Sequence, residues 1–310
     1  MSAATPARSS EAGVALALAA AAATGVQVGA AMVATRAVVG QTGPASLALL
    51  RYAVGALCLL PVVLATAPRV RFAARDLVPI ALLGVVQFGV LVALLNWGLT
   101  RVPAGRAALI FASFPLLTML VAALLGRERL TRRRSLGVLL TLAGVGLALG
   151  EGAIQPGTGQ GWAGEAAVLA AAFCGAVCNV LYRPYLDRYP ALPVGALAML
   201  ASVAALAVPA GVGEGFFAAW PRLTPGAWLA VVFIGASSAI GYALWLWALR
   251  RASPTRVAVF LSLSPVTALL LGAAMLGENV SILCLAGLVC LAAGLWLTNR
   301  EDGPVGRPKA

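Results

Sequence analysis

Apolar residues run through this chain in long, unbroken stretches. They show neither the alternation of a half-buried strand nor the one-sided stripe of a soluble amphipathic helix. The stretches fall at roughly 13–34, 44–66, 77–98, 105–124, 134–150, 163–182, 192–212, 226–249, 257–276 and 281–298. Each is long enough, or nearly so, to cross about 30 Å of hydrocarbon as a helix. They predict an all-α membrane protein with ten transmembrane helices. A β-barrel would need short alternating strands, and these runs are continuous. Polar tails cover 1–12 and 299–310, and a connecting loop covers 151–162. The first run is long and has only Arg8 ahead of it, so it reads as an uncleaved helix and not as a signal peptide.

The pattern also repeats. Residues 97–144 align without a gap on 247–294, with 12 identities in 48 positions. These include Trp97 with Trp247, Arg106 with Arg256, Pro115 with Pro265, Glu128 with Glu278, Gly137 with Gly287 and Gly144 with Gly294. Hydrophobic composition alone yields several matches, but not Trp, Pro and Glu pairs in one register. The unit spans five helices, 13–150 and then 163–298, and the odd number makes the second copy enter the membrane from the opposite side. Such inverted-topology repeats can exchange conformations, which is a physical basis for alternating access.

Composition agrees, with 61% hydrophobic and 10% charged residues. The formal charge of +12 points to nucleic acid only until its distribution is read. Basic residues sit at the ends of apolar runs. With the N-terminus cytoplasmic, 17 lie on the inner side and four, Arg36, Arg101, Arg106 and Arg222, on the outer side, with Arg51 left inside a helix. The positive-inside rule therefore places both termini in the cytoplasm and leaves no role for nucleic acid. It puts the arginine-rich loop around Glu128 inside and the arginine-free loop around Glu278 outside. Five cysteines, Cys58, Cys174, Cys178, Cys284 and Cys290, lie in apolar runs of a chain with no histidine, and they read as small hydrophobes.

At the level of motifs the chain resembles the ten-helix, EamA-type members of the drug/metabolite transporter superfamily. The resemblance is carried by LALLRYAVGAL in the second run and by NWGLTRVPAGRAALIFASFPLLTMLVAALLGRERL followed by RRSLGVLLTLAGVGL. A second copy follows in WALRRASPTRVAVFLSLSPVTALLLGAAMLGENV and AGLVCLAAGL. It covers nearly the whole chain. Two departures are ATGVQVGA in the first run, where relatives often carry a Trp-Gly element, and the extra Arg106. The resemblance implies a bacterial inner-membrane transporter, often an exporter of amino acids or other small metabolites.

Candidate site residues follow from the cost of polarity in hydrocarbon. Arg51 is the strong charge well inside a helix and must snorkel, pair or line a wet cavity. It is expected near the outer entrance, where it would attract a carboxylate. Gln27, Asn96 and Asn179 are amides that either join helices or hydrogen-bond a substrate. Tyr242 and Trp245 share a helix face and are candidates to cover an apolar or cationic group, whereas Trp247 fits an interface anchor. Pro115 and Pro265 predict bends at equivalent places and free backbone carbonyls. Ser113 and Ser264 lie beside them, positioned to satisfy local backbone groups. Arg106, Glu128, Arg256 and Glu278 are repeat-related groups near the interfaces. The glycine pairs 137/144 and 287/294 suit scaffold packing or a homodimer contact, so monomer and homodimer both stay open.

No Walker or GxGxxG loop, metal-ligand cluster or nucleophile system is present, so an enzyme, a cofactor and a bound metal are not expected. All carboxylates lie near helix ends or in loops, which weakens a proton relay through the membrane centre. The resulting expectation is a secondary transporter, within the lipid bilayer, exporting amino acids or related zwitterionic metabolites by alternating access. The alternatives are transport of drugs or other metabolites, import, and a scaffold or regulator that transports nothing.

Overall fold

A computed structural model describes residues 11–67, 70–127, 136–137, 139–140, 143–147, 162–218, 221–249, 251, 257 and 260–299, and every regular element among them is a helix. We number them by the ten predicted runs. They are α1 Glu11–Val38, α2 Pro44–Thr66, α3 Ala74–Leu99, α4 Ala104–Leu124, α6 Ala163–Arg188, α7 Ala191–Gly213, α8 Pro225–Leu249, α9 Leu263–Leu276 and α10 Ile282–Asn299. The described residues between 136 and 147 are helical and form α5. The fifth predicted run, 134–150, lies partly outside the described residues. Among those described, seven helices are long and apolar enough to cross a membrane, and α9 and α10 are shorter apolar helices. Helix suits such a chain because it satisfies backbone groups within each segment, where hydrocarbon offers them no partner.

The helices are not regular throughout. In α4 one helical piece ends at Phe111 and the next begins at Phe114, with Pro115 in its first turn. Proline has no N–H to give the carbonyl four residues back, here that of Phe111. Ahead of α9 the chain makes a 3-10 turn at Phe260–Ser262, and Pro265 likewise gives nothing to the carbonyl of Leu261. The expected run at 257–276 is thus an irregular entry and then a helix. Wider π-helical turns interrupt α3 at Val85–Val90 and end α7 at Pro209–Gly213.

The packing pattern carries the repeat. α1 packs on α8 and α9, while α6 packs on α3 and α4. α2 packs on α7 and α8, α7 packs on α3 as well, and α4 packs on α9. Exchanging each helix with the one five places later leaves this pattern unchanged, as a two-fold relation between halves requires. A local motif repeats with it. The Arg101 guanidinium sits 3.6 Å from the Trp97 ring centroid, and that of Arg251 sits 3.9 Å from Trp247. Each arginine also donates to the carbonyl of its tryptophan. Arg101 lies against Gly164 at the start of α6, whereas Trp247 shares a groove with Pro190 and Pro193 just beyond its end. The same motif therefore closes opposite ends of the bundle.

Two close approaches need glycine. A Cβ on Gly144 would meet the Gly287 carbonyl oxygen at 2.6 Å, and one on Gly287 would meet that of Gly144 at 2.7 Å, so α5 and α10 touch backbone to backbone within one chain. Of the two roles expected for these glycines, this contact is scaffold packing. Gly84 lets α3 press on α7, since a Cβ there would run into the Ala198 carbonyl.

Candidate functional site

The helices line a cavity of about 120 Å³ at mid-bundle. α3 and α8 line it with repeat-related positions: Phe88 and Ser238, Leu91 and Gly241, Val92 and Tyr242, Leu95 and Trp245. Phe111 and Leu261 add a fifth such pair. The cavity therefore lies on the axis relating the halves. Its chemistry is unequal, because the first half supplies aliphatic and phenyl groups where the second supplies a hydroxyl, a phenol and an indole. Phe111 and Leu261 are also the residues whose carbonyls the two prolines leave without their usual donor. Both breaks therefore lie at the cavity wall.

α1 and α2 break the symmetry with polar groups. Gln27 lines the cavity and its Nε2 donates to Ser237 Oγ at 3.1 Å. Gly241 makes room for this amide, since a Cβ there would stand 2.6 Å from Gln27 Oε1. Thr24, one turn earlier, donates to the Ala20 carbonyl at 2.9 Å. Arg51 lines the same cavity and donates from Nε to Ser238 Oγ at 2.7 Å, while Ser238 in turn donates to the Ile234 carbonyl. The arginine is thus anchored on one edge and lies beside Gln27 in a single chamber.

Aromatic rings form the rest of the wall. Phe88 bridges Tyr52 at 4.8 Å and Tyr242 at 4.6 Å between centroids, and Phe114 meets Phe111 at 5.9 Å and Trp245 at 6.3 Å. An apolar enclosure of this kind, with a few polar groups converging on it, suits a small molecule that has an apolar side and a polar head.

The structure brings together Gln27, Arg51, Tyr242 and Trp245, and it places Asn96 outside the cavity. Asn96 is buried and donates from Nδ2 to the Pro44 carbonyl at 2.9 Å, tying the end of α3 to the start of α2. Asn179 is buried on α6 and does not line the cavity as it stands. Ser113 and Ser264 are buried beside their prolines, and among the described residues neither hydroxyl has a hydrogen-bond partner. They do not satisfy the backbone there. Gln87, in the π turn of α3, lines the cavity and escaped the sequence reading. A lone amide within an apolar run was the signal available for it, as it was for Gln27.

One end of the bundle is tied by carboxylates. Glu278 accepts from the Ala104 N–H with both oxygens at 3.0 Å, at the positive end of α4, and lies 3.8 Å from Arg36. Arg36 also donates to the Leu99 carbonyl. Arg106 pairs with Glu165 at 3.2 Å, both nearly buried. Glu214 accepts from Ala45 at 2.9 Å and Ser46 at 2.7 Å, closing the first turn of α2. At the other end Asp76 holds Arg188 at 2.8 Å and Tyr189 at 2.7 Å. Glu128 and Arg256 lie outside the described residues. Among the described residues no group of His, Cys, Asp or Glu is arranged to hold a metal.

Comparison with known proteins gives this arrangement relatives. A family model described as the EamA-like transporter family matches residues 12–150 and 162–300. A protein of Streptantibioticus cattleyicolor called a probable terminal-alkyne amino-acid exporter is 35% identical, over 74% of this chain and 75% of its own length. One of Salmonella typhimurium called a probable amino-acid metabolite efflux pump is 29% identical, over 74% and 80%. A solved crystal structure superposes with a TM-score of 0.68 at 23% identity, covering 90% of this chain and 97% of that one. That last likeness is one of fold.

Proposed function

This chain belongs to the EamA-like transporter family, and on that premise we propose that it exports amino acids or related small zwitterionic metabolites by alternating access. The observation that carries this reading is the cavity on the repeat axis, where Arg51 and Gln27 face an aromatic wall. A guanidinium suits a carboxylate, and the carbonyls of Phe111 and Leu261 suit an ammonium group. The indole and phenyl rings suit an apolar side chain. The names borne by the Streptantibioticus and Salmonella relatives support the amino-acid class and the outward direction.

The test is a metabolite-wide comparison of efflux from cells with and without the protein, followed by counterflow in proteoliposomes. We expect at least one amino acid or close derivative to leave faster with the protein and to exchange in liposomes. Equal release of every metabolite, with no counterflow, would return the chain to a scaffold or regulator.

The proposed site is the bacterial inner membrane with both termini cytoplasmic, supported by the charge bias of the loops. After the native cysteines are changed to alanine, single cysteines at 127–134 and at 277–280 should react with an impermeant thiol reagent from opposite sides of sealed cells. Labelling of both from one side would sink the orientation. The Gly144–Gly287 contact lies inside one chain, which supports a monomer as the working unit.

A further inference from the structure

Two grooves open on the outside of the bundle, and the repeat relates them. Gly89, Ala93 and Trp97 of α3 line one, and Ala239, Ala243 and Trp247 of α8, each 150 positions later, line the other. They lie toward opposite ends, because the first is bordered by Pro44 at the start of α2 and the second by Thr66 and Ala67 at its finish. Exposed apolar side chains belong to both, Val90 in the first and Leu16, Val62 and Ile240 in the second. In a membrane-spanning chain such side chains meet lipid tails.

The second groove, between α1, α2, α7 and α8, is the larger at about 940 Å³ against about 620 Å³. From Ala239 to Trp247 it follows α8 for about 12 Å, most of one leaflet's half of the roughly 30 Å hydrocarbon core. An acyl chain fits such a trough. Its polar end carries a cation: Arg251, just past the end of α8 at Leu249, stacks 3.9 Å from the Trp247 ring centroid and donates from Nη1 to the Trp247 carbonyl at 3.4 Å. Arg251 is exposed, and among the described residues no carboxylate pairs with it or lines this groove. A guanidinium held in this way offers its remaining N–H groups to phosphate oxygens. The first groove is built alike, with Arg101 stacked 3.6 Å from Trp97, but Glu214 lines it and opposes a second negative charge.

We propose that the groove beside Trp247 binds an anionic phospholipid, with the phosphate on Arg251 and one acyl chain along Ala243 and Ala239, and that the groove beside Trp97 does not select for negative charge. Basic pockets between transmembrane helices recognise anionic head groups by the same chemistry. In the proposed orientation the lipid belongs to the cytoplasmic leaflet. The site is separate from the substrate cavity, since α8 gives Gly241, Tyr242 and Trp245 to the cavity and Ala239 and Ala243 to the groove. It therefore stands whatever the chain transports.

The test is native mass spectrometry on the delipidated full chain, titrated with phosphatidylglycerol or with phosphatidylcholine of the same acyl chains. The wild type should bind its first phosphatidylglycerol about fivefold more tightly than its first phosphatidylcholine, the worth of one basic side chain at the membrane surface. Arg251→Gln should remove that difference, and Arg101→Gln should leave it unchanged. Ala243→Phe should fill the trough and weaken both lipids alike. Equal affinity for the two lipids in the wild type would overturn the proposal, as would a preference that survives Arg251→Gln. A preference lost in Arg251→Gln, with both lipids untouched by Ala243→Phe, would also overturn it, because Arg251 would then bind anions without the groove. So would a delipidated dimer that Ala243→Phe splits, since the groove would then hold a second copy of this chain.

Discussion

Arg51→Gln is expected to lower the affinity for carboxylate-bearing substrates by about 10- to 100-fold, the worth of a charge-assisted hydrogen bond at 1.4 kcal/mol per decade. The guanidinium lines the cavity, and only its Nε is engaged by Ser238 in the hydrogen bonds described for it. Glutamine keeps a hydrogen-bonding group on a shorter chain and removes the charge. The loss should therefore be confined to ligands with a carboxylate and should shrink for their amides. Equilibrium binding to purified, folded variants is the measurement, with Trp245→Ala and Gln27→Leu in parallel. Trp245→Ala should weaken all ligands, because it removes apolar surface whatever the head group. Wild-type affinity in all three would return these side chains to packing and anchoring.

Pro115→Ala and Pro265→Ala should slow interconversion more than they alter binding. A proline within a helix costs about 3 kcal/mol relative to alanine, so its removal favours the straight form of α4 or α9 by up to about 100-fold in population. Both breaks lie beside the cavity, and α4 packs on α9. Straightening one should therefore bias the bundle toward one access state. The expected pattern is exchange reduced at least tenfold with substrate affinity changed less than threefold. The double variant should recover part of the loss if the two helices bend in opposition. Unchanged exchange in both well-folded single variants would leave the prolines as packing features.

Much of this was legible along the chain because hydrocarbon imposes a simple rule. A spanning segment must be apolar and helical, so run length alone placed the helices, and the gapless alignment of 97–144 on 247–294 revealed the repeat. Gln27 and Arg51 stood out because amides and charges are rare where water is absent. Position along the run already favoured Gln27, near the centre of the first, over Asn96, toward the end of the third. Both are amides within apolar runs, and what separates them in the structure is that Asn96 meets the Pro44 carbonyl on a neighbouring helix while Gln27 faces a void beside Gly241.

Sequence alone determined the fold class, the inverted repeat and the breaks at Pro115 and Pro265, because each follows from local chemistry: apolar length, register and a missing N–H. Only the tertiary structure decided which face of each helix meets the cavity. In uniformly apolar helices no polar stripe marks the inner side, and small groups such as Gly84, Gly144 and Gly287 set how closely backbones approach. That is why Phe88, Phe111 and Phe114 carry no mark along the chain and yet form the wall of a chamber in three dimensions. It is also why the burial of Asn179 away from the cavity became visible only once its neighbours were in place.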